Sequence, residues 1–217
     1  MNRVLLDFDG VVFNNKKIHE QVKQQSIRFL KHKKNISHNK AVQLNNSQYP
    51  LVGHTALIID NDYNTIQEYN NYVFDNDMMK TIQTHMNEHD INIIQDLIKT
   101  KQKYQFDFIL CTNAPFNYCE QILHHANVPF DILFSTQHIY TSDNLKMVKP
   151  TYEYYSQIEK ELVNTIHFID DSFTNIEIIQ NNPRWSVHHF HDEQSISDYL
   201  SGTKGIRTPA DKTPNGS

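Results

Sequence analysis

Five short apolar runs alternate with helical patterns along this chain, and that alternation points to a parallel α/β sheet. The runs are Val4 to Leu6, Phe106 to Cys111, Ile132 to Phe134, Thr165 to Ile169 and Ser186 to Phe190. Helical spacing covers Phe116 to Ala126, Tyr152 to Leu162 and Phe173 to Gln180, with a last helix near Glu193 to Leu200. Parallel strands need crossovers, usually helices, and these segments supply them. The expectation is a Rossmann-like parallel sheet with flanking helices. In such sheets ligands bind beyond the carboxyl ends of the strands. Asp7, Thr112 and Asp170 would all sit there.

The stretch from Val12 to about Gln105 breaks the alternation and is too long for a loop. It reads as helical over Lys16 to Lys33, polar in the middle, then helical again from Asp77 to roughly Lys103. Apolar residues recur at Met78, Met79, Ile82 and Met86, then at Ile91, Ile93, Ile94, Leu97 and Ile98, the spacing of one or two amphipathic helices. Pro50 and Gly53 mark a turn between helical stretches. The expected organisation is a core of residues 1–12 and 106–201, with residues 13–105 as a small helical cap over the strand ends. Residues 202–217 carry Gly, Pro, Thr and Lys without apolar periodicity and read as a disordered tail or appended sequence.

Composition narrows the function classes. A chain of 217 residues can bury one good core, with room for a small insert. The net charge of −5 and the pI near 6.2 give no basic footprint for nucleic acid. A local cluster at Lys31 to Lys34 is the usual chemistry of a solvated helix end. No run of about 18 apolar residues suggests a membrane span, and Met1-Asn2-Arg3 leads straight into a strand without a signal-peptide pattern. Two cysteines, Cys111 and Cys119, form neither a disulfide framework nor a zinc set, so a reducing, cytoplasmic setting is expected.

The chemistry concentrates in Asp7-Phe8-Asp9-Gly10. Carboxylates at i and i+2 leave a strand end on the same side and repel, so their proximity calls for a cation, a shared proton or both. Asp-x-Asp-Gly also builds ordinary turns, and on its own the motif leaves both readings open. Three more polar pairs stand farther along: Thr112-Asn113, Lys149-Pro150 and Asp170-Asp171, the last within Phe168-Ile169-Asp170-Asp171-Ser172-x-x-Asn175.

In order and spacing, over roughly residues 3 to 200, these four elements resemble the haloacid-dehalogenase-like (HAD) hydrolase superfamily, phosphatase type with a helical cap. The resemblance implies an Mg²⁺-dependent phosphatase acting on a small phosphorylated metabolite through an aspartyl-phosphate. Asp7 would be the nucleophile and a metal ligand. Asp9 would protonate the leaving group and then activate water, its backbone carbonyl also reaching the metal. Asp170 and Asp171 would complete the Mg²⁺ site. Lys149 would offset phosphoryl charge, and Thr112 with the Asn113 backbone N–H would hold the phosphate. Asp171 could instead serve as an acid at a helix N-terminus.

Asp9 weighs against a dehalogenase, because released halide needs no proton. A phosphomutase, or a non-catalytic binding or scaffold protein keeping the fold, are the alternatives, and the acidic balance weighs against a polynucleotide phosphatase. His85 and His89, spaced i, i+4, lack a third ligand and read as a solvated helix face. His188, His189 and His191 read as strand or loop residues, and Cys111 as a buried thiol. Phe13, Tyr49 and Tyr63 are the aromatic residues expected to line a cap-side pocket.

Overall fold

The computed structural model describes residues 2–145, 147–162, 165–191 and 195–202. Five strands, β1 (Asn2–Leu6), β2 (Phe106–Cys111), β3 (Ile139–Tyr140), β4 (Ile166–Asp170) and β5 (Trp185–His189), form one sheet in the order β3-β2-β1-β4-β5. All pairings are parallel, with Leu5 beside Ile109 on one side and Phe168 on the other. Between β1 and β2 lie α1 (Lys16–Lys34), α2 (His38–Val52), α3 (Tyr63–Val73), α4 (Asn76–His85) and α5 (Glu88–Tyr104), with a 3-10 turn at Thr55–Ile58. After β2 come α6 (Phe116–His125), α7 (Phe130–Leu133), α8 (Tyr152–Glu161), α9 (Phe173–Glu177) and α10 (Ile196–Gly202).

A parallel sheet covered on both faces demands strands that are apolar on both sides. Val4, Leu6, Phe106, Phe108 and Leu110 point into one core with Ile94 and Leu97 of α5 and Tyr118, Ile122 and Leu123 of α6. Leu5, Ile109, Cys111, Ile166 and Phe168 point into the other, with Tyr154, Tyr155 and Ile158 of α8 and Trp185. Among the inserted helices, α4 and α5 pack into the first of these cores. Phe29 of α1 meets Ala56 of the 3-10 turn and Ile66, Tyr69 and Val73 of α3 in a separate cluster, with Val148 beneath, and Ala41 of α2 packs against Ile27 and Leu30 of α1.

Local chemistry sets the helix ends. The Asn15 side chain accepts from the Lys17 and Ile18 amides and starts α1, and Asn35 in the left-handed region (φ 49°) ends it. Asn15 also donates to Asp90 Oδ2 at 2.7 Å, tying the start of α1 to the capping box of α5. Pro50 lies inside the last turn of α2, and Gly53 (φ 70°) closes that helix. The expected strand at Ile132 to Phe134 is not one. Pro129 starts a helical turn there, the Phe134 amide bonds back to the Phe130 carbonyl at 2.8 Å, and the two rings pack 5.4 Å apart. The third strand is instead Ile139–Tyr140, in register with Leu110 and Cys111. The expected 202–217 tail lies outside the described residues but for Gly202, which ends α10. No helix among the described residues is long and apolar enough to cross a membrane.

One buried histidine makes the fold's stability pH-dependent. His54 is 4% exposed, accepts the Ala56 N–H through Nδ1, and packs against the Tyr69 ring. Burial pushes its pKa down from 6.5 to about 3. The folded state therefore holds the neutral ring, while the unfolded chain takes up a proton near 6.5. This contribution is complete above about pH 6.5 and drains away as the pH falls toward 3, by at most about 1.4 kcal/mol per pH unit. The expected result is a steep fall in urea midpoint between pH 7 and 4.5, made shallower by His54→Asn, which keeps an acceptor for the Ala56 amide. Equal pH slopes in the two proteins would remove His54 as the cause.

Candidate active site

The sheet order places β1 at the centre with β2 and β4 on either side, so three chain ends converge at one edge. Asp7 follows β1 directly, its amide bonded to the Ile169 carbonyl at 2.9 Å. The residue is 7% exposed, and its carboxylate receives the Phe8 N–H on Oδ1 at 2.7 Å. Among the described residues no protein donor is recorded for Asp7 Oδ2. Beyond Asp7 the chain turns tightly, with the Val12 and Phe13 amides both bonding the Phe8 carbonyl. Gly10 sits in that turn at φ 80°, and a Cβ there would lie 2.1 Å from Asp171 Oδ2. The positive φ favours glycine here, and any side chain would also have to displace the Asp171 carboxylate.

Lys149 is wholly buried, and three oxygens surround its ammonium. They are Asp170 Oδ2 at 2.5 Å, Asp7 Oδ1 at 3.1 Å and the Cys111 carbonyl at 3.0 Å. Burial alone would lower the lysine pKa, but the charges of Asp170 and Asp7 outweigh it and hold the ammonium protonated. The Asn113 side chain fixes this lysine from behind: Oδ1 accepts the Lys149 amide at 2.6 Å, and Nδ2 donates to the Lys149 carbonyl at 2.9 Å. Asp170, also fully buried, accepts the Ser172 amide at 2.8 Å and the Asn175 side-chain amide at 3.0 Å on Oδ1. Thr112, 1% exposed, accepts the Ala114 amide on Oγ1.

Asp7, Asp170 and Asp171 each offer a carboxylate oxygen, all within 4.8 Å of one another. An all-oxygen, all-carboxylate set suits a hard divalent cation such as Mg²⁺. The protonation energetics agree. Burial first, and then the charge of Asp170, push the Asp7 carboxyl well above the ordinary range despite Lys149. Asp171, though it reaches solvent, is brought to about 6 by the protein crowded around it and by the charge of Asp170. One lysine does not neutralise this cluster, and a divalent cation would.

Asp9 stands apart from that cluster and is gripped from two directions. The buried Tyr118 hydroxyl, from α6, donates to Asp9 Oδ1 at 3.0 Å, and His19 Nε2, from α1, meets the same oxygen at 3.1 Å. Neither partner is signalled by any motif. No motif signals the grip on Lys149 by the Asn113 side chain or the support of Asp170 by Asn175 either.

A cavity of about 740 Å³ opens over these groups, lined by Asp7, Asp9, Thr112, Asn113, Lys149 and Asp171 on the sheet side and by α1, α2, the Thr55 turn and α3 on the other. Tyr49 lines it, whereas Phe13 is buried in the core and Tyr63 is not in the lining. His85 ends α4 and His89 lies in α5, so they do not share one helix. His188 and His189 lie on β5, and His191 reaches the cavity edge. The Cys111 thiol is buried and pushed up to about 12, chiefly by that burial, which leaves it inert.

By sequence, no family model and no curated protein matches the chain. Solved structures do. The HAD phosphatase from Thermococcus onnurineus superposes with a TM-score of 0.58 at 15% identity, covering 96% of this chain and 100% of that one. The HAD family enzyme bt-2542 from Bacteroides thetaiotaomicron gives a TM-score of 0.55 at 15% identity, over 92% and 98% of the two chains. Its magnesium complex gives 0.54 at 16% identity, again over 92% and 98%. A parallel sheet in this order, flanked by helices and matched over nearly the whole length of these proteins, gives this chain the fold of the haloacid-dehalogenase-like hydrolases.

Proposed function

We propose that this protein is an Mg²⁺-dependent phosphatase acting on a small phosphorylated metabolite, with α1, α2, the Thr55 turn and α3 serving as its cap. The observation that carries this reading is the position of the Asp7 carboxylate. It lies at the end of the central strand, with the Lys149 ammonium 3.1 Å from Oδ1 and no recorded protein donor on Oδ2. A carboxylate so placed is an oriented nucleophile with its charge partly offset. Mg²⁺ would be held by Asp7, Asp170 and Asp171, joined by the Asp9 carbonyl, and would supply charge neutralisation to the phosphoryl group.

In this reading Asp7 Oδ2 attacks phosphorus, the ester P–O bond breaks, and Asp9 gives its proton to the departing oxygen. Asp9 then takes a proton from water as the water oxygen attacks phosphorus. Cleavage of the P–O bond to Asp7 releases inorganic phosphate and restores the carboxylate. Thr112 and the Asn113 amide hold phosphate oxygens. The grip of Tyr118 and His19 on Asp9 Oδ1 leaves Oδ2 to exchange the proton. Tyr118 is then a positioning residue. Its pKa is raised by burial and by Asp9, so its hydroxyl keeps its proton and stays a donor.

Asp7→Asn should lower phenyl phosphate hydrolysis on the order of 10³-fold or more with the circular dichroism spectrum retained. Near-normal turnover would show that Asp7 is not the nucleophile. Removing divalent cations with EDTA should abolish hydrolysis, and Mg²⁺ should restore it; full activity in EDTA would dismiss the metal. Tyr118→Phe should slow alkyl phosphate esters about five- to tenfold while sparing activated aryl esters, since only poor leaving groups need the proton. A uniform loss across leaving groups would mark Tyr118 as merely structural.

A further inference from the structure

The wall of the cavity facing the phosphate site is built and polar. Ser26, Asn45, Thr55 and Tyr69 all line it, yet each is at least nine-tenths buried (4%, 5%, 1% and 5% exposed). They come from α1, α2, the Thr55 turn and α3, so all the elements of that wall contribute. Buried polar side chains of this kind are held by defined partners, and the direction of each bond can be worked out.

Ser26 donates its single hydroxyl proton to the Val22 carbonyl at 2.8 Å. The 2.8 Å contact between Ser26 Oγ and the Tyr69 hydroxyl must then be donated by Tyr69. Thr55 donates to Asn45 Oδ1 at 3.2 Å. The hydroxyl protons of Ser26, Thr55 and Tyr69 are therefore used inside the protein, while Tyr49 and Asn46 also line this wall. What the four buried side chains keep for a ligand is lone pairs on Tyr69 and Thr55 and the two N–H groups of Asn45, which meet no protein acceptor among the described residues.

That donor and acceptor balance selects a ligand. A carboxylate or second phosphate only accepts: Asn45, Tyr49 and Lys23 can donate to it, but the buried lone pairs of Tyr69 and Thr55 would stay unmet. A hydrocarbon would strand buried polar groups. A hydroxyl both donates to lone pairs and accepts from an amide. An aromatic base finds no slot against Tyr69, because Phe29, His54 and Phe74 already pack around that ring and leave its oxygen end to the cavity. Lys23, on the same wall, is solvent-exposed and adds charge outside the buried network. A volume of about 740 Å³ accommodates a leaving group well beyond the phosphate itself.

We infer that this wall is a subsite for an aliphatic polyol, so that the substrate is the phosphate ester of a polyol or open or cyclic sugar, with Asn45 as a specificity-determining residue. The inference rests on the phosphatase reading for the placement of the phosphate, but not for the hydroxyl selectivity. The matched probes are glycerol 3-phosphate and propyl phosphate, which share three carbons and differ by two hydroxyls. Calorimetric binding with Mg²⁺ is measured on the Asp7→Asn protein, where turnover is stopped, and kcat/KM on the wild type. The expected result is a preference of about tenfold or more for glycerol 3-phosphate in both readouts. Asn45→Ala, and independently Thr55→Val, should each collapse the ratio toward one while propyl phosphate is affected less. Equal binding of the two probes, or a ratio untouched by both variants, overturns the subsite. Hydroxyl-selective binding without hydrolysis of any ester, phenyl phosphate included, keeps the subsite and overturns the phosphatase reading instead.

Discussion

Everything at the top of the sheet is arranged around one buried ammonium. Lys149 has no exposed surface, and the three oxygens around its ammonium come from Asp7 after β1, Cys111 at the end of β2 and Asp170 at the end of β4. Remove that charge and two buried carboxylates lose their partner, a loss costing several kcal/mol in comparable settings. Two buried carboxylates against one lysine still leave negative charge in excess, with Asp171 beside them. A site left short by positive charge is one that attracts a divalent cation and, with it, a phosphoryl group. The lysine is kept in place by its own backbone, clamped at both N–H and C=O by Asn113. A residue that reads as a phosphate contact thus spends its side chain on the geometry of another residue.

Two glycines let the halves of the site meet. Gly10 allows Asp171 to lie against the turn after β1. Gly53 ends α2 where a Cβ would come 2.8 Å from Pro150 and 3.3 Å from Asn175 Oδ1. Its carbonyl accepts from Asn113 Nδ2, and Thr174 donates to the neighbouring Pro50 carbonyl at 2.9 Å. The inserted helices therefore contact the sheet at the residues that hold Lys149 and Asp170. The cavity is closed by the same backbone that organises its charges.

Much of this was legible in the sequence because strand ends announce themselves. Apolar runs deliver Asp7, Thr112 and Asp170 to the edge of a parallel sheet, and periodicity alone places them there. Local pattern failed at Ile132 to Phe134, where Pro129 and the pairing of Phe130 with Phe134 favour a helical turn over a strand. It also gave no hint that α5 packs under β2, since an amphipathic helix shows that it has a partner but not which one. Tyr118 and His19 were invisible for a related reason. They stand 109 and 10 residues from Asp9, and only the folded chain brings both to one oxygen.

The convergence on Asp9 has a consequence for how such a site divides its work. Tyr118 belongs to a helix packed on the sheet, whereas His19 belongs to α1, which also supplies Ser26 to the polar wall. His19 and Ser26 lie seven residues apart, two helical turns, and so share a face of that helix. A displacement of α1 that moves the wall must also move one of the two groups holding Asp9. In the proposed chemistry, recognition of the leaving group and delivery of its proton would depend on the placement of a single helix. A leaving group that seats α1 correctly would also set the acid that protonates it, and one that does not would be bound with the acid misaligned. Selectivity would then be expressed in kcat as well as in KM, which is where binding energy best serves catalysis.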